Sequence, residues 1–310
     1  NYQCPYIPQD IDRAIHYFTL SANQNYSMAQ YYLGEIYSTP KYNRYDINKA
    51  LKYLKLAANQ NNVGANRTLG LLYLQLKNLN ESVNYFLRAS QLYDGQSLFM
   101  LGCIHDFLDR MKDKKLSIHY YTEAAKQNYS TAQLMLGKKY YIGQDVRQDI
   151  KKSIYYLELA KNRLHDACFY LGVIYSDGRY IKRDIDKAIS YFKVASSFND
   201  QYSKNNLGVL YKQYKNNKAA AIIYFKEAIR QKDDLFSKFN LALIYLNEDP
   251  NDQYTEEIIK NLAITDCKTF RLPSLLLACF LTIKNLPIKQ TIEKYKCENT
   301  LETVIFVHYY

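Results

Sequence analysis

Five His, six Cys and 30 Asp or Glu are the side chains of this 310-residue sequence that could bind a metal or move a proton. Either chemistry needs them clustered: a zinc site takes three or four ligands, and a catalytic site takes a nucleophile or acid with a positioned base. His16, His105, His119, His165 and His308 stand apart, and Cys4, Cys103, Cys168, Cys267, Cys279 and Cys297 include no C-x-x-C pair. Neither a zinc site nor a dense disulfide framework is therefore encoded, and the cysteines read as buried free thiols. There is no Walker loop, no H-E-x-x-H and no G-x-S-x-G. Glu256-Glu257 fall at an expected helix start, where the helix dipole accounts for them. The sequence predicts no enzyme, no cofactor and no metal. N-x-S/T sequons at Asn25, Asn66, Asn80 and Asn128 arise by chance in an Asn-rich chain, and Asn66 falls within an expected helix.

Composition narrows the fold. With 48% apolar residues the chain can bury a core, while only 10 Gly and 6 Pro leave little turn chemistry for a sandwich or barrel. The longest apolar run, Leu272 to Ile283, is interrupted by Pro273 and Ser274 and falls short of the ~20 residues a membrane helix needs. No signal-peptide pattern opens the chain.

The elements that would position any functional group come from an internal repeat. Leu-Gly recurs at Leu33-Gly34, Leu69-Gly70, Leu101-Gly102, Leu136-Gly137, Leu171-Gly172 and Leu207-Gly208, and Leu241-Ala242 continues the series. Three residues later stands Tyr37, Tyr73, Tyr140, Tyr175, Tyr211 or Tyr245, with His105 as the departure. A second block runs in phase with the first: Ala14-Ile15-His16-Tyr17-Phe18, Ala50-Leu51-Lys52-Tyr53-Leu54 and Ser82-Val83-Asn84-Tyr85-Phe86, with further copies at Ser117, Ser153, Ala188 and Ala221. Apolar residues at i, i+3, i+4 and i+7 make each block an amphipathic helix that must bury its face on neighbours. The glycines predict close helix approach, and Asn25, Asn61 and Asn128 predict left-handed helix ends. Asp46, Asp149 and Asp184 are placed to cap the second helices, as are Ser27 and Ser130 the first.

The segments Leu136-Gly137-Lys138-Lys139-Tyr140-Tyr141-Ile142-Gly143 through Asp149, and Leu171-Gly172-Val173-Ile174-Tyr175-Ser176-Asp177-Gly178 through Asp184, resemble the L-G-x-x-Y-x-x-G-x-G-V-x-x-D signature of Sel-one-like repeats. The tetratricopeptide repeat is a near relative with a shorter connector. The loop's second glycine is replaced by Asp145 or Tyr180, so loop geometry should vary. The phased Cys pairs of some bacterial members are missing, which argues for a reducing compartment, the cytoplasm. The resemblance implies an all-α, right-handed superhelical α/α solenoid of tandem helix pairs forming one array over residues 1–310. Residues 1–26 would supply the second half of a first repeat whose first half lies upstream. Residues 27–265 would hold six to seven repeats, with Thr255 to Ala263 as a worn second helix, and 266–310 degenerate capping helices at Pro273 to Lys284 and Pro287 to Cys297.

The resemblance also implies a monomeric protein-interaction scaffold binding a partner protein or extended peptide along its concave face, lined by the Leu-Gly helices. Positions there that vary between copies are free of the packing constraint, and they nominate Tyr31, Arg67, Phe99, Asp106, Lys138, Tyr141, Phe169, Asn205 and Lys212 as partner-binding. Residues 110–165 carry 12 Lys or Arg against 5 Asp or Glu, within a net charge of +11, so an acidic partner is expected. The alternatives are a nucleic-acid-binding solenoid that uses this basic centre and exposed aromatic rings, and a regulatory repeat region of a larger protein.

Overall fold

The computed structural model describes residues 11–248 apart from Asn199 and Asp233. The expected helices at 255–263, 273–284 and 287–297 lie outside the described residues. Among those described there is no strand, and the chain divides between Leu164 and His165 into two compact units. The first holds α1 (Ile11–Asn23), α2 (Ser27–Ser38), α3 (Ile47–Asn59), α4 (Val63–Gln75), α5 (Leu79–Ser90), α6 (Gly95–Phe107), α7 (Lys114–Lys126), α8 (Ser130–Ile142) and α9 (Ile150–Ala160). The second holds α10 (His165–Asp177), α11 (Ile185–Ser197), α12 (Gln201–Gln213), α13 (Lys218–Lys232) and α14 (Leu235–Glu248). From α2 onward, even-numbered helices carry the Leu-Gly block and are called first helices here. Those that follow, and α1, carry the Tyr block and are called second helices. The architecture is a tandem α/α solenoid of helix pairs.

Each pair closes on the glycine. A Cβ placed on Gly70, Gly102, Gly137, Gly172 or Gly208 would lie 2.5–2.7 Å from Phe86, Tyr121, Leu157, Phe192 or Phe225 of the following second helix, and Gly34 meets Leu54 in the same way. Those six bulky residues are almost wholly buried. The small residue one turn earlier completes the contact: the Ser82 and Ser153 hydroxyls donate to the Gly70 and Gly137 carbonyls at 2.8 Å. Ser117, their counterpart, is buried with its Oγ unpaired.

The tyrosines of the two blocks meet as stacked pairs. Tyr37–Tyr53, Tyr73–Tyr85, Tyr140–Tyr156, Tyr175–Tyr191 and Tyr211–Tyr224 have ring centroids 5.5–6.1 Å apart and near-parallel planes. Lysine ammonium groups cover several of these rings, including Lys49 over Tyr37 and Lys187 over Tyr175. His105 keeps the pattern, stacking on Tyr120 at 5.7 Å while its Nδ1 lies 2.7 Å from the Met111 carbonyl.

Connectors within a pair differ in length yet finish on one bond. The backbone N–H of Asp46, Asn78, Asp113, Asp149, Asp184 and Asn217 donates to the carbonyl of Tyr37, Tyr73, His105, Tyr140, Tyr175 and Tyr211 at 2.9–3.0 Å. The same Asp and Asn side chains then accept a backbone N–H three residues on, capping the second helices as expected. Asn25, Asn61 and Asn128 take positive φ, also as expected. Ser27 and Ser130 do not cap. They are the first helical residues, and the preceding Tyr26 and Tyr129 offer no side-chain acceptor. First helices are capped instead by Asn62, Asp94 and Asp200 in the copies that have them.

Candidate functional site

A first helix turns −5, −1, Gly and +2 (numbered from its glycine) into the core, because leucine at −1 and an aliphatic residue at +2 lie on the side that faces the second helix. Positions −6, −2, +1 and +5 are left on the opposite side. In the first unit these hold Met28, Tyr32, Leu71, Phe107 and Ile142, exposed by 38–64%. They share that side with Glu35, Thr68, Gln75 and Gln96, and Tyr32 also stacks on Phe18 of α1. Lys138 occupies the Leu71 position and is half-buried, as is Tyr141 one turn on.

Of the nine residues nominated from the sequence, Tyr31, Arg67, Phe99, Asp106, Lys138 and Tyr141 lie in the first unit. Tyr31, Arg67, Phe99, Phe169 and Asn205 all stand at −3, which turns toward the next repeat and becomes part of the seam between neighbours. The Tyr31 ring packs over Gly64, and burial, followed by the Glu35 charge, pushes its hydroxyl above the usual tyrosine range. Arg67 is paired with Asp94 at 2.7 Å. Phe99 packs between Tyr121 and Tyr129, and Phe169 packs on Phe192. Asn205 accepts from Ser237 at 3.2 Å and Asn240 at 3.0 Å. Lys212 is half-buried and its ammonium is held below the usual lysine range by desolvation, with Lys218 adding to the effect. Phe169, Asn205 and Lys212 belong to the second unit.

Asp106 is corrected outright: it is a buried structural ion, not a surface contact. Its carboxylate lies 3.0 Å from Lys139 Nζ, which also reaches Asp145 at 2.7 Å, and these three side chains are only 4–6% exposed. Lys114 approaches Asp145 from the outside at 2.6 Å, and the Tyr121 hydroxyl donates to Asp106 at 3.2 Å. Hydrogen bonds from Lys114 and Lys139 hold Asp145 below the usual carboxylate range. Burial pushes the Tyr121 hydroxyl and the nearby Cys103 thiol up. Lys139 occupies position +2, held by Ile36, Leu72, Ile104, Ile174, Leu210 and Ile244 elsewhere. A charge in that series is visible in the sequence once the copies are aligned, and it is the signal that reading them for exposed positions passes over. Every charge in the cluster has a partner. Among the described residues no group of three His, Cys, Asp or Glu could hold a metal.

Much of the basic centre is neutralised by neighbours: Lys126, Lys152 and Lys161 pair with Glu123, Asp149 and Glu158. Of the remainder, Lys138 lies on the first-helix face. Arg110, Lys115, Arg147 and Lys151 are exposed on the connectors and the first turns of α7 and α9, with no ion pair to a described residue. This makes one edge of the first unit basic.

A family model for the Sel1 repeat matches residues 3–26, 27–62, 66–94, 95–129, 130–163, 165–197 and 202–233. Among solved structures, the chain is similar to c5321, a protective antigen of uropathogenic Escherichia coli with an SLR fold, at 20% identity and a TM-score of 0.79. That match covers 90% of this chain and 62% of the antigen, so the chain spans less than two thirds of its neighbour's length. A Sel1 repeat protein from Oxalobacter formigenes is similar at 25% identity and a TM-score of 0.55, over 66% of this chain and 88% of that one. No curated protein matches the sequence. No described helix is long and apolar enough to cross a membrane.

Proposed function

The chain belongs to the Sel1 repeat family, whose solenoids generally serve protein–protein interaction, and from that premise we propose that it is a non-catalytic adaptor that binds a partner protein or extended peptide across its first-helix face. The observation that carries this reading is the exposed stripe Met28, Tyr32, Leu71, Phe107 and Ile142. Exposed aromatic and aliphatic side chains are the usual anchors of an interface, and adjacent polar groups such as Glu35 and Lys138 give it a rim. Half-buried Tyr31 and Tyr141 extend the apolar surface beside it. The adaptor acts as a monomer, and Cys103, which stands as a free thiol, suits a reducing compartment such as the cytoplasm.

Selection of a peptide library against the folded chain tests the proposal. Leu71→Ser, Phe107→Ser and Ile142→Ser should each leave the thermal midpoint within a few degrees of the parent and weaken the selected peptides at least tenfold. Peptides that bind all three variants as they bind the parent would refute the first-helix face. The basic edge at Arg110, Lys115, Arg147 and Lys151 favours a second reading, an acidic partner or nucleic acid on the connectors. Binding on that edge should fall by orders of magnitude between 50 and 200 mM salt, whereas apolar anchoring should be nearly insensitive.

A further inference from the structure

At position +5 of the first helices most copies are polar, with Thr39, Gln75, Asp177 and Gln213, but α6 and α8 hold Phe107 and Ile142. These two are the last residues of their helices and are 64% and 60% exposed. Helices α6 and α8 touch, since Lys139 of α8 reaches Asp106 of α6 at 3.0 Å, so equivalent positions on them stand about 8–10 Å apart. The connectors that follow carry Arg110 and Arg147, and the first turns of α7 and α9 carry Lys115 and Lys151. All four are exposed, with no ion pair to a described residue. The acids beside them are engaged: Asp113 and Asp149 cap α7 and α9, Asp145 is held by Lys114 and Lys139, and Asp109 lies 3.8 Å from Lys112. Between α2 and α3, by contrast, the connector arginine Arg44 is held by Asp12 at 2.8 Å.

Both connectors are fixed in place. The Met111 N–H donates to the Leu108 carbonyl at 2.9 Å and the Asp113 N–H to that of His105 at 3.0 Å, while Gln148 Nε2 donates to the Tyr141 carbonyl at 2.7 Å. Lys114, in the first turn of α7, crosses to Asp145 in the next connector at 2.6 Å, so the buried ion cluster ties the two connectors together. We propose that this junction is a docking surface for an acidic, leucine-containing peptide segment of a partner protein. Its apolar side chains would rest on Phe107 and Ile142, and its carboxylates would meet Arg110, Lys115, Arg147 and Lys151. The separation of about 8–10 Å corresponds to about three residues of extended chain, so the ligand pattern is Leu-x-x-Leu with Asp or Glu between and around. The apolar anchors supply affinity, and the four cations supply selectivity for acidic segments. A protein segment is favoured over nucleic acid because the cations flank an aliphatic side chain and span only two connectors. A nucleic-acid surface stacks bases on aromatic rings along a longer cationic track. The inference rests on the adaptor reading for its apolar half and adds the chemistry of the partner.

The test is fluorescence anisotropy of the labelled peptide Asp-Glu-Leu-Asp-Glu-Leu-Asp-Glu, titrated with the whole chain. Saturable binding is expected. It should be at least tenfold weaker for the Arg110→Glu, Arg147→Glu double variant, for the peptide with Ser in place of Leu, and for the peptide with Asn and Gln in place of its acids. Phe107→Ser and Ile142→Ser should each weaken it several-fold. All four side chains are exposed, so these variants should melt as the parent does, by circular dichroism. Asp145→Asn makes the junction more basic yet removes the tie between the connectors, so it should weaken binding in a chain that circular dichroism shows to be folded. Tighter binding by that variant would overturn the positioning of the edge by the ion cluster. No saturable binding up to millimolar chain, undiminished binding of the Ser-substituted peptide, or tighter binding of an oligouridylate than of the peptide would overturn the proposal, the last in favour of nucleic acid. Leu71 lies outside the junction, so Leu71→Ser should bind the acidic peptide like the parent. If Leu71→Ser loses the library-selected peptides while the parent does not bind the acidic one, the first-helix interface stands and this junction is refuted.

Discussion

Lys139→Met removes one ammonium and keeps nearly all of the side-chain volume, which makes it the cleanest probe of the buried ion cluster. In the parent, Lys139 Nζ lies 3.0 Å from Asp106 and 2.7 Å from Asp145. The substitution leaves two carboxylates some 95% shielded from water. Asp145 retains Lys114 at 2.6 Å, but Asp106 retains only the Tyr121 hydroxyl at 3.2 Å. Stranding a buried charge costs ~3–5 kcal/mol, and the surviving partners reduce this to about 2–4 kcal/mol. Asp106→Leu combined with Lys139→Leu should recover most of that loss. Leu74 and Ile104 already occupy the equivalent places in the preceding pair of repeats and pack in one cluster, and a well-packed apolar pair replaces a buried ion pair at little or no cost. Urea unfolding followed at 222 nm measures both variants, and amide exchange over residues 95–157 shows whether the effect is confined to this part of the array, where repeat proteins lose two-state behaviour. With urea slopes of ~1–3 kcal/mol per molar, the single variant should unfold about 1 M earlier or more. A Lys139→Met chain as stable as the parent, or a double variant that merely sums two losses, would refute the claim that Lys139 is the required counter-ion.

The same cluster sets an acid limit. Asp145 is held below its ordinary value, so its contribution is present above the unfolded carboxylate pKa of ~4 and fades as pH falls through the lower folded value. Acid titration of Asp145→Asn should show a smaller loss between pH 5 and 2 than the parent shows. Ser117→Ala removes a buried hydroxyl that has no partner and should raise stability by ~1 kcal/mol in urea melts, while Ser82→Ala and Ser153→Ala, each losing a bond to a glycine carbonyl, should not. Gly137→Leu should cost ~1–3 kcal/mol, because even its Cβ would lie 2.6 Å from Leu157 Cγ, whereas Gly95→Ala, at the start of α6 with its nearest contacts at 3.3 Å, should be tolerated. Equal melting of the two glycine variants would contradict the close-approach account.

The helix pairs were legible in the amino-acid order because everything that makes them is local or periodic. Leu-Gly marks the contact, paired tyrosines mark the stack, Asn25, Asn61 and Asn128 mark left-handed turns, and Asp46, Asp149 and Asp184 mark caps. Helical phase also shows which side of a first helix faces the core, but not how wide the seam to the next repeat is. Tyr31, Phe99 and Asn205 were therefore read as open surface, while Tyr32, one residue on from Tyr31, is more exposed. Ser27 has the chemistry of a cap, yet helix α2 begins one residue too early for it to act as one. The fate of Lys139 was decided furthest from its own neighbourhood. A lysine at a core position is tolerable only if counter-ions arrive from elsewhere, and Asp106 comes from the preceding repeat, 33 residues back, while Asp145 comes from the loop after α8. Local periodicity writes the elements into the chain, and the partners one repeat away determine which of their surfaces remain for binding.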